Sequence, residues 1–426
     1  MLLSVTSIPL ALYIHIPWCV RKCPYCDFNS HELSTTGDHA ALYRTYVDAL
    51  LADASAQAPW LQGRQIRSVF IGGGTPSLLP INEYQRLFNG LRMRLPFAGD
   101  CEITMEANPG TLEYAPFSQY LDVGINRLSI GVQSFAAEQL HKLGRIHDPE
   151  QAKTAITQAR NAGFKRVNVD IMHGLPQQTS YQALNDIQQA HDAGATHLSW
   201  YQLTVEPNTV FYRDTPLLPD DDTLADIEEA GQQKLLRLGY QRYEVSAWVG
   251  PHDKPCQHNL NYWQFGDYLA IGAGAHGKIS LDAAKNSDFI SGKVIDGLAT
   301  QDNSSQIARF SKSRLPKDYL DQTKWHSWQS ESLVTKEKTA NNWPKTVGFE
   351  YIAKDQLPAE FMLNALRLDA GVSWQTFTQH TGLARQAITH QVSRLIEQGL
   401  LADNPERLVT TDKGRRYLNQ VLYAFI

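Results

Sequence analysis

Cysteine is scarce in this chain, with five in 426 residues, too few for a disulfide framework. An excess of one charge is also missing. Lys and Arg number 39 and Asp and Glu 44, and the formal net charge of −5 gives no general attraction to nucleic acid or anionic lipid. No apolar run reaches the ~18 residues that a membrane-spanning helix requires, which argues against an integral membrane segment. The N-terminal "MLLSVTSIPLALYIHIPW" is apolar, but it lacks the basic start of a signal peptide and Pro9 interrupts it. A cytoplasmic location is expected. What is present, 42% hydrophobic and 19% charged residues, is a globular composition long enough for two or three domains.

Six short apolar runs alternate with helix-like segments. They are "ALYIHI" (11–16), "RSVFIGGG" (67–74), "CEITMEA" (101–107), "RLSIGVQ" (127–133), "RVNVDIM" (166–172) and "HLSWYQL" (197–203). Strand and helix in alternation predict βαβ units and a parallel sheet, hence an α/β fold. Polar residues at Gly72 to Thr75, Glu106, Gln133 and Asp170 fall at or just past the C-terminal ends of successive runs. Convergence of side chains from several strand ends is a property of barrels, whereas a doubly wound sheet gathers its loops at one switch point. A partial (β/α)6 TIM-type barrel is therefore expected.

From about 280 to 345 the chain turns polar and weakly periodic, and reads as linker and surface excursions. Beyond it, "PAEFMLNALRL", "WQTFTQHTG" and "ARQAITHQVSRLIEQG" read as helices. "LLADNPERLVTTDKG" reads as a wing and "RRYLNQVLYAF" as a closing helix. The pattern is that of a mainly helical, winged-helix-like domain. Residues 351–426 carry eight Lys/Arg against seven Asp/Glu, which does not make a DNA-binding face, and a packing or partner-docking role is expected instead.

Three of the five cysteines lie together: Cys19, Cys23 and Cys26, spaced C-x3-C-x2-C in "HIPWCVRKCPYCDF". A structural zinc site asks for a fourth Cys or His. A [4Fe–4S] cube held by three thiolates instead leaves one iron open to another ligand. Three unconnected thiols on a loop are the plain alternative.

With this spacing the chain resembles the radical S-adenosylmethionine (SAM) superfamily, whose signature is CxxxCxxC. "YIHIPWCVRKCPYCDF", "GGGTPS", "SIGVQSF", "DIMHGLP" and "GAGAHGK" are similar to the group containing the oxygen-independent coproporphyrinogen III oxidases and HemW. The tail "EFMLNALRL … LIEQGLL … LVTTDKG" extends the likeness over most of the chain. The resemblance implies a cluster on Cys19, Cys23 and Cys26, with SAM chelating the open iron. It further implies SAM contacts from Tyr13, Gly73, Gly74, Thr75, Glu106, Gln133, Arg145 and Asp170. Carboxylates and Arg suit the ammonium and carboxylate of SAM, and bare glycine backbone permits close approach.

Within this group the oxidases carry one more cysteine two residues after the third, where Phe28 stands here. They also have a longer segment ahead of the motif than the 18 residues found before Cys19. "HNLNY" (258–262) matches the HNxxY motif associated with haem binding, with His258 as the expected axial ligand and Asn259 and Tyr262 shaping its surroundings. Cys256 and Cys101 read as a free thiol and a buried apolar residue. The resemblance thus implies a haem carrier, monomeric or homodimeric, serving acceptor haemoproteins that include respiratory ones. The alternative is oxidative decarboxylation of coproporphyrinogen. A third reading, a winged-helix regulator with an iron–sulfur sensor, has poor electrostatics. Three regions are expected: 1–240, the barrel with its cluster loop; 241–300, a connection bearing HNxxY; and 301–426, polar linker and C-terminal domain.

Overall fold

The computed structural model describes residues 3, 5–111, 115–281, 304–321, 326–328, 341–343 and 346–426. Each of the six apolar runs is a strand: β1 (Leu10–Ile16), β2 (Ile66–Gly73), β3 (Phe97–Ala107), β4 (Arg127–Gln133), β5 (Val167–His173) and β6 (His197–Gln202). They lie side by side in chain order, all parallel. Sequential order means that every crossover steps the same way, as in a barrel; a doubly wound sheet would reverse at its centre. The helices that make the crossovers are capped by their own sequence. Asp148 and Thr179 each accept from a backbone N–H three residues on, and Gln151 and Gln182 complete two capping boxes.

The barrel does not close. The hairpin strands β7 (Gln241–Glu244) and β8 (Ala247–Val249) extend the sheet antiparallel beyond β6. At the other edge β1 takes a seventh parallel neighbour, β9 (Asp267–Ile271). After β9 come three antiparallel strands, β10 (His276–Ser280), β11 (Ser304–Lys312) and β12 (Thr346–Ala353).

Two of these strands correct the reading of 280–345 as linker, because β11 lies within that stretch and β12 begins at its edge. Ile307, Ala308 and Phe310 of β11 are buried, and so is the Lys312 ammonium, bonded to Asp53 of the first helix at 2.7 Å. A strand with one lysine turned inward onto a distant carboxylate carries no clean apolar alternation, so composition hides it. The rest of that stretch, residues 282–303, 322–325, 329–340 and 344–345, lies outside the described residues.

The main core forms where Leu10, Leu12, Ile14, Val69, Ile71, Val167 and Val169 meet the helical layer. A second core holds the C-terminal helices, with Phe361 5.7 Å from Phe265 and 5.2 Å from Phe377 between ring centres. It is pinned to the sheet edge by Arg242–Asp369 at 2.9 Å and to the turn after "HNLNY" by His380 Nδ1 at 2.6 Å from the Gln264 carbonyl.

Candidate functional site

The cysteine loop leaves β1 at its C-terminal end and is tied down at its base. The Trp18–Cys19 segment pairs with His31–Glu32, and Leu33 N–H donates to the Cys19 carbonyl at 2.9 Å. The His15 imidazole, paired with the Tyr13 hydroxyl at 3.0 Å, reaches the Asn29 carbonyl at 2.9 Å. Asn29 in turn donates to the carbonyls of Ala273 and Arg314. A turn closed by Cys26 N–H to the Cys23 carbonyl brings those two cysteines round together. All three thiols are free of disulfides. Burial pushes the Cys19 and Cys26 thiols up, which suits side chains that ionise when an iron cluster supplies positive charge.

The glycines at the end of β2 are required by the packing of the chain itself. A Cβ on Gly73, whose φ is +117°, would meet His15 Cε1 at 2.6 Å, and one on Gly74 would overlap the Trp18 carbonyl oxygen. Bare backbone is needed here because β2 passes directly against the root of the cysteine loop. Gly74 N–H and Thr75 N–H then donate to the Ile16 and Trp18 carbonyls, each at 2.7 Å, and the Thr75 hydroxyl bonds Cys19. These glycines therefore fasten the loop to the barrel whether or not a ligand is bound.

Next along the sheet, Glu106 accepts from Gly73 N–H at 3.2 Å. Burial, and then the neighbouring Asp170, raise its carboxyl to about 8. Asp170 accepts from Ser129 at 3.0 Å and Asn168 at 2.8 Å, and burial raises its carboxyl too. Two half-buried acids facing one lumen, neither in an ion pair among the described residues, form a donor set suited to a cationic ligand. SAM, with its ammonium and sulfonium, has that character. Gln133 lies where β4 slips register with β5, in left-handed backbone at φ +70°, and its amide oxygen accepts from Tyr201 at 2.9 Å. A non-glycine residue held there is strained, a condition that gathers at binding sites. Arg145 donates to the Gly131 carbonyl at 2.6 Å and lies 3.6 Å from the Cys23 sulfur.

His258 lies beside Tyr13, with ring centres 6.4 Å apart. The helix Gln257–Trp263 packs against the N-terminal half of the barrel, where Glu102 accepts from Gln257 N–H at 2.9 Å and from the Cys256 thiol at 3.3 Å. His258 is 2% exposed, with Nδ1 3.4 Å from Ser68 and its ring centre 5.1 Å from Phe70 and 4.8 Å from Tyr262. Enclosed on these sides, the ring keeps its Nε2 without a hydrogen-bond partner among the described residues.

Sequence reasoning missed the polar lining between the two ends. Asn168 links Asp170 to His197 at 2.7 Å, and His197 reaches Tyr243 at 3.1 Å. The signal was available: Arg127, Ser129, Asn168, Asp170, His197 and Ser199 recur at every second position inside apolar runs, as lumen-facing residues must.

Residues 13–189 match the radical SAM superfamily, and residues 352–417 match the HemN C-terminal domain. Heme chaperone HemW of Escherichia coli is 44% identical over 98% of both chains. The protein of that name from Haemophilus influenzae is 42% identical over the same shares. The chain belongs to the HemW family. Among solved structures, the radical SAM enzyme coproporphyrinogen III oxidase (HemN) from Escherichia coli aligns with a TM-score of 0.73. It covers 98% of this chain and 90% of its own, at 22% identity, a likeness of fold alone. For this HemW-family chain the superfamily match implies SAM and a [4Fe–4S] cluster. Among its described residues, no helix is long and apolar enough to cross a membrane.

Proposed function

We propose that this protein is a haem chaperone that binds haem and passes it to acceptor haemoproteins. The observation that carries the proposal is identity of 42–44% with two proteins named heme chaperone HemW, over 98% of each chain. Cys19, Cys23 and Cys26 would hold the [4Fe–4S] cluster. Tyr13, Gly73, Gly74, Thr75, Glu106, Gln133, Arg145 and Asp170 would surround SAM. Bound together, these groups supply one-electron chemistry at the open iron. The protein's own part is to fasten the cysteine loop through Gly73, Gly74 and His15, and to offer Glu106 and Asp170 as counter-charges.

Phe28 supports carrying over making: it is 61% exposed at the position where the oxidases have a further cysteine. The test uses anaerobically purified, cluster-reconstituted protein. Haem is titrated by optical absorption, transfer to an apo-haemoprotein is followed, and coproporphyrinogen turnover is assayed in parallel. Haem binding and transfer without turnover is the expected result; sustained turnover without transfer would overturn it.

A further inference from the structure

Both carboxyl oxygens of Asp170 take a hydrogen bond from a side chain of the barrel lumen. The Asn168 amide donates to Oδ1 at 2.8 Å and the Ser129 hydroxyl to Oδ2 at 3.0 Å. Behind Asn168 stands His197, fully buried, with Nδ1 2.7 Å from the Asn168 side-chain oxygen and Nε2 3.1 Å from the Tyr243 hydroxyl. Burial, with Arg127 and Arg166 nearby, lowers this imidazole well below its ordinary range. The ring is therefore neutral, with one nitrogen to donate and one to accept.

The far end of the chain sets its direction. Tyr243 takes the Cys256 main-chain N–H and the Asn259 side-chain amide, each at 3.4 Å. A main-chain N–H can only donate, so the Tyr243 oxygen accepts there and its own proton goes to His197 Nε2. His197 then carries its proton on Nδ1 and gives it to the Asn168 oxygen, which Ser199 also bonds at 3.1 Å. That turns the Asn168 nitrogen toward Asp170 and, at 2.7 Å, toward the Ser129 oxygen, leaving the Ser129 proton for Asp170. Each donor along the chain thus points at one carboxyl group, an arrangement that favours its ionised form.

The titratable and charged groups facing Asp170 are Glu106 from β3, Arg127 from β4 and Tyr201 from β6. Burial pushes the Asp170 carboxyl up, while the bonds from Ser199, Asn168 and Ser129 and the charge of Arg127 pull it back. Glu106 has the Gly73 N–H and keeps its proton to about 8.

We propose that His197 is a positioning residue for SAM: through Asn168 it holds Asp170 as the ionised one of the two lumen acids, ready for the positive charge of the ligand. The inference rests on the SAM site given under the proposed function and adds to it a residue of the barrel interior. It also gives Asn259 of "HNLNY" a place at the foot of that chain.

The test measures SAM affinity by equilibrium dialysis from pH 5 to 9. It uses the full-length, cluster-reconstituted protein and its Asp170→Asn, His197→Phe, His197→Asn and Tyr243→Phe variants. Asp170→Asn should weaken SAM binding about ten-fold or more over most of the range. His197→Phe removes the donor to Asn168, so Asp170 takes up its proton at a higher pH. The acid limb of its profile should move up by about one pH unit, with about ten-fold weaker binding below the limb and near-parental binding at pH 9. His197→Asn, whose amide nitrogen stands where Nδ1 does, should restore most of the affinity. Tyr243→Phe deletes one hydroxyl and should shift the limb the same way by less; it carries the test if His197→Phe fails to fold. An unmoved limb in His197→Phe and Tyr243→Phe, or a loss equal at every pH, would overturn the positioning role and leave the SAM site standing. Parental binding by Asp170→Asn would overturn the SAM site itself.

Discussion

Arg145 bridges the cysteine loop and the fourth strand: Nη1 lies 3.6 Å from Cys23 Sγ while Nη2 donates to the Gly131 carbonyl at 2.6 Å. A buried cation bonded to a cluster thiolate stabilises the more negative, reduced cluster, and hydrogen bonds to sulfur raise its potential. Arg145→Gln should therefore lower the SAM-free cluster potential by tens of millivolts, read by redox titration with spin-resonance detection. If Arg145 acted on SAM alone, the potential without SAM would stay put and only the affinity for SAM would fall.

Glu106 gives the protein without SAM an unusual pH dependence. Its carboxyl is raised to about 8 in the fold, chiefly by burial, against 4.5 in the free side chain. The native state thus keeps a proton that the unfolded chain releases. Stability falls as pH rises from about 4.5 to about 8 and levels off above that. Glu106→Gln removes this loss, and at pH 8 it should raise Tm by about 2–4 °C while weakening SAM binding. Calorimetry from pH 5 to 9 checks it; a slope identical to that of the parent would show that Glu106 is not the group responsible.

Gly74 has no room for a side chain, because the obstacle is the Trp18 main-chain carbonyl. Gly74→Ala should force the cysteine loop off β2, at about 1–3 kcal/mol of stability, and reduce iron bound per chain after reconstitution. Full iron content in that variant would mean that the loop tolerates displacement.

Asp53 accepts from Lys312 at 2.7 Å, Tyr319 at 2.8 Å and Gln57 at 2.8 Å, with no solvent contact at either end of the ion pair. Asp53→Ala strands a buried ammonium and should cost about 3–5 kcal/mol in denaturant unfolding. Asp53→Leu combined with Lys312→Met should recover most of that loss, since an apolar pair of similar size avoids the desolvation penalty. A double variant as unstable as the single one would contradict this account.

The sequence carried the six strands and the cluster loop unaided, because both are local. Alternating apolar runs, helix caps such as Asp148 with Gln151, and three cysteines in eight positions depend only on near neighbours. The polar strand-end residues from Gly73 to Asp170 were legible for the same reason: parallel strands in sequential order bring their C-terminal ends together whatever lies between. Only the tertiary structure decided the rest. It turned Lys312 inward onto Asp53, 259 positions away along the chain, and so made a strand of a stretch that reads as linker. It assigned Gly73 and Gly74 to the close approach of their own neighbours. It also packed His258 between Phe70 and Tyr262 with its Nε2 left without a partner among the described residues. Burial and hydrogen bonding depend on contacts distant in sequence, and those contacts decide whether an imidazole is filler or ligand.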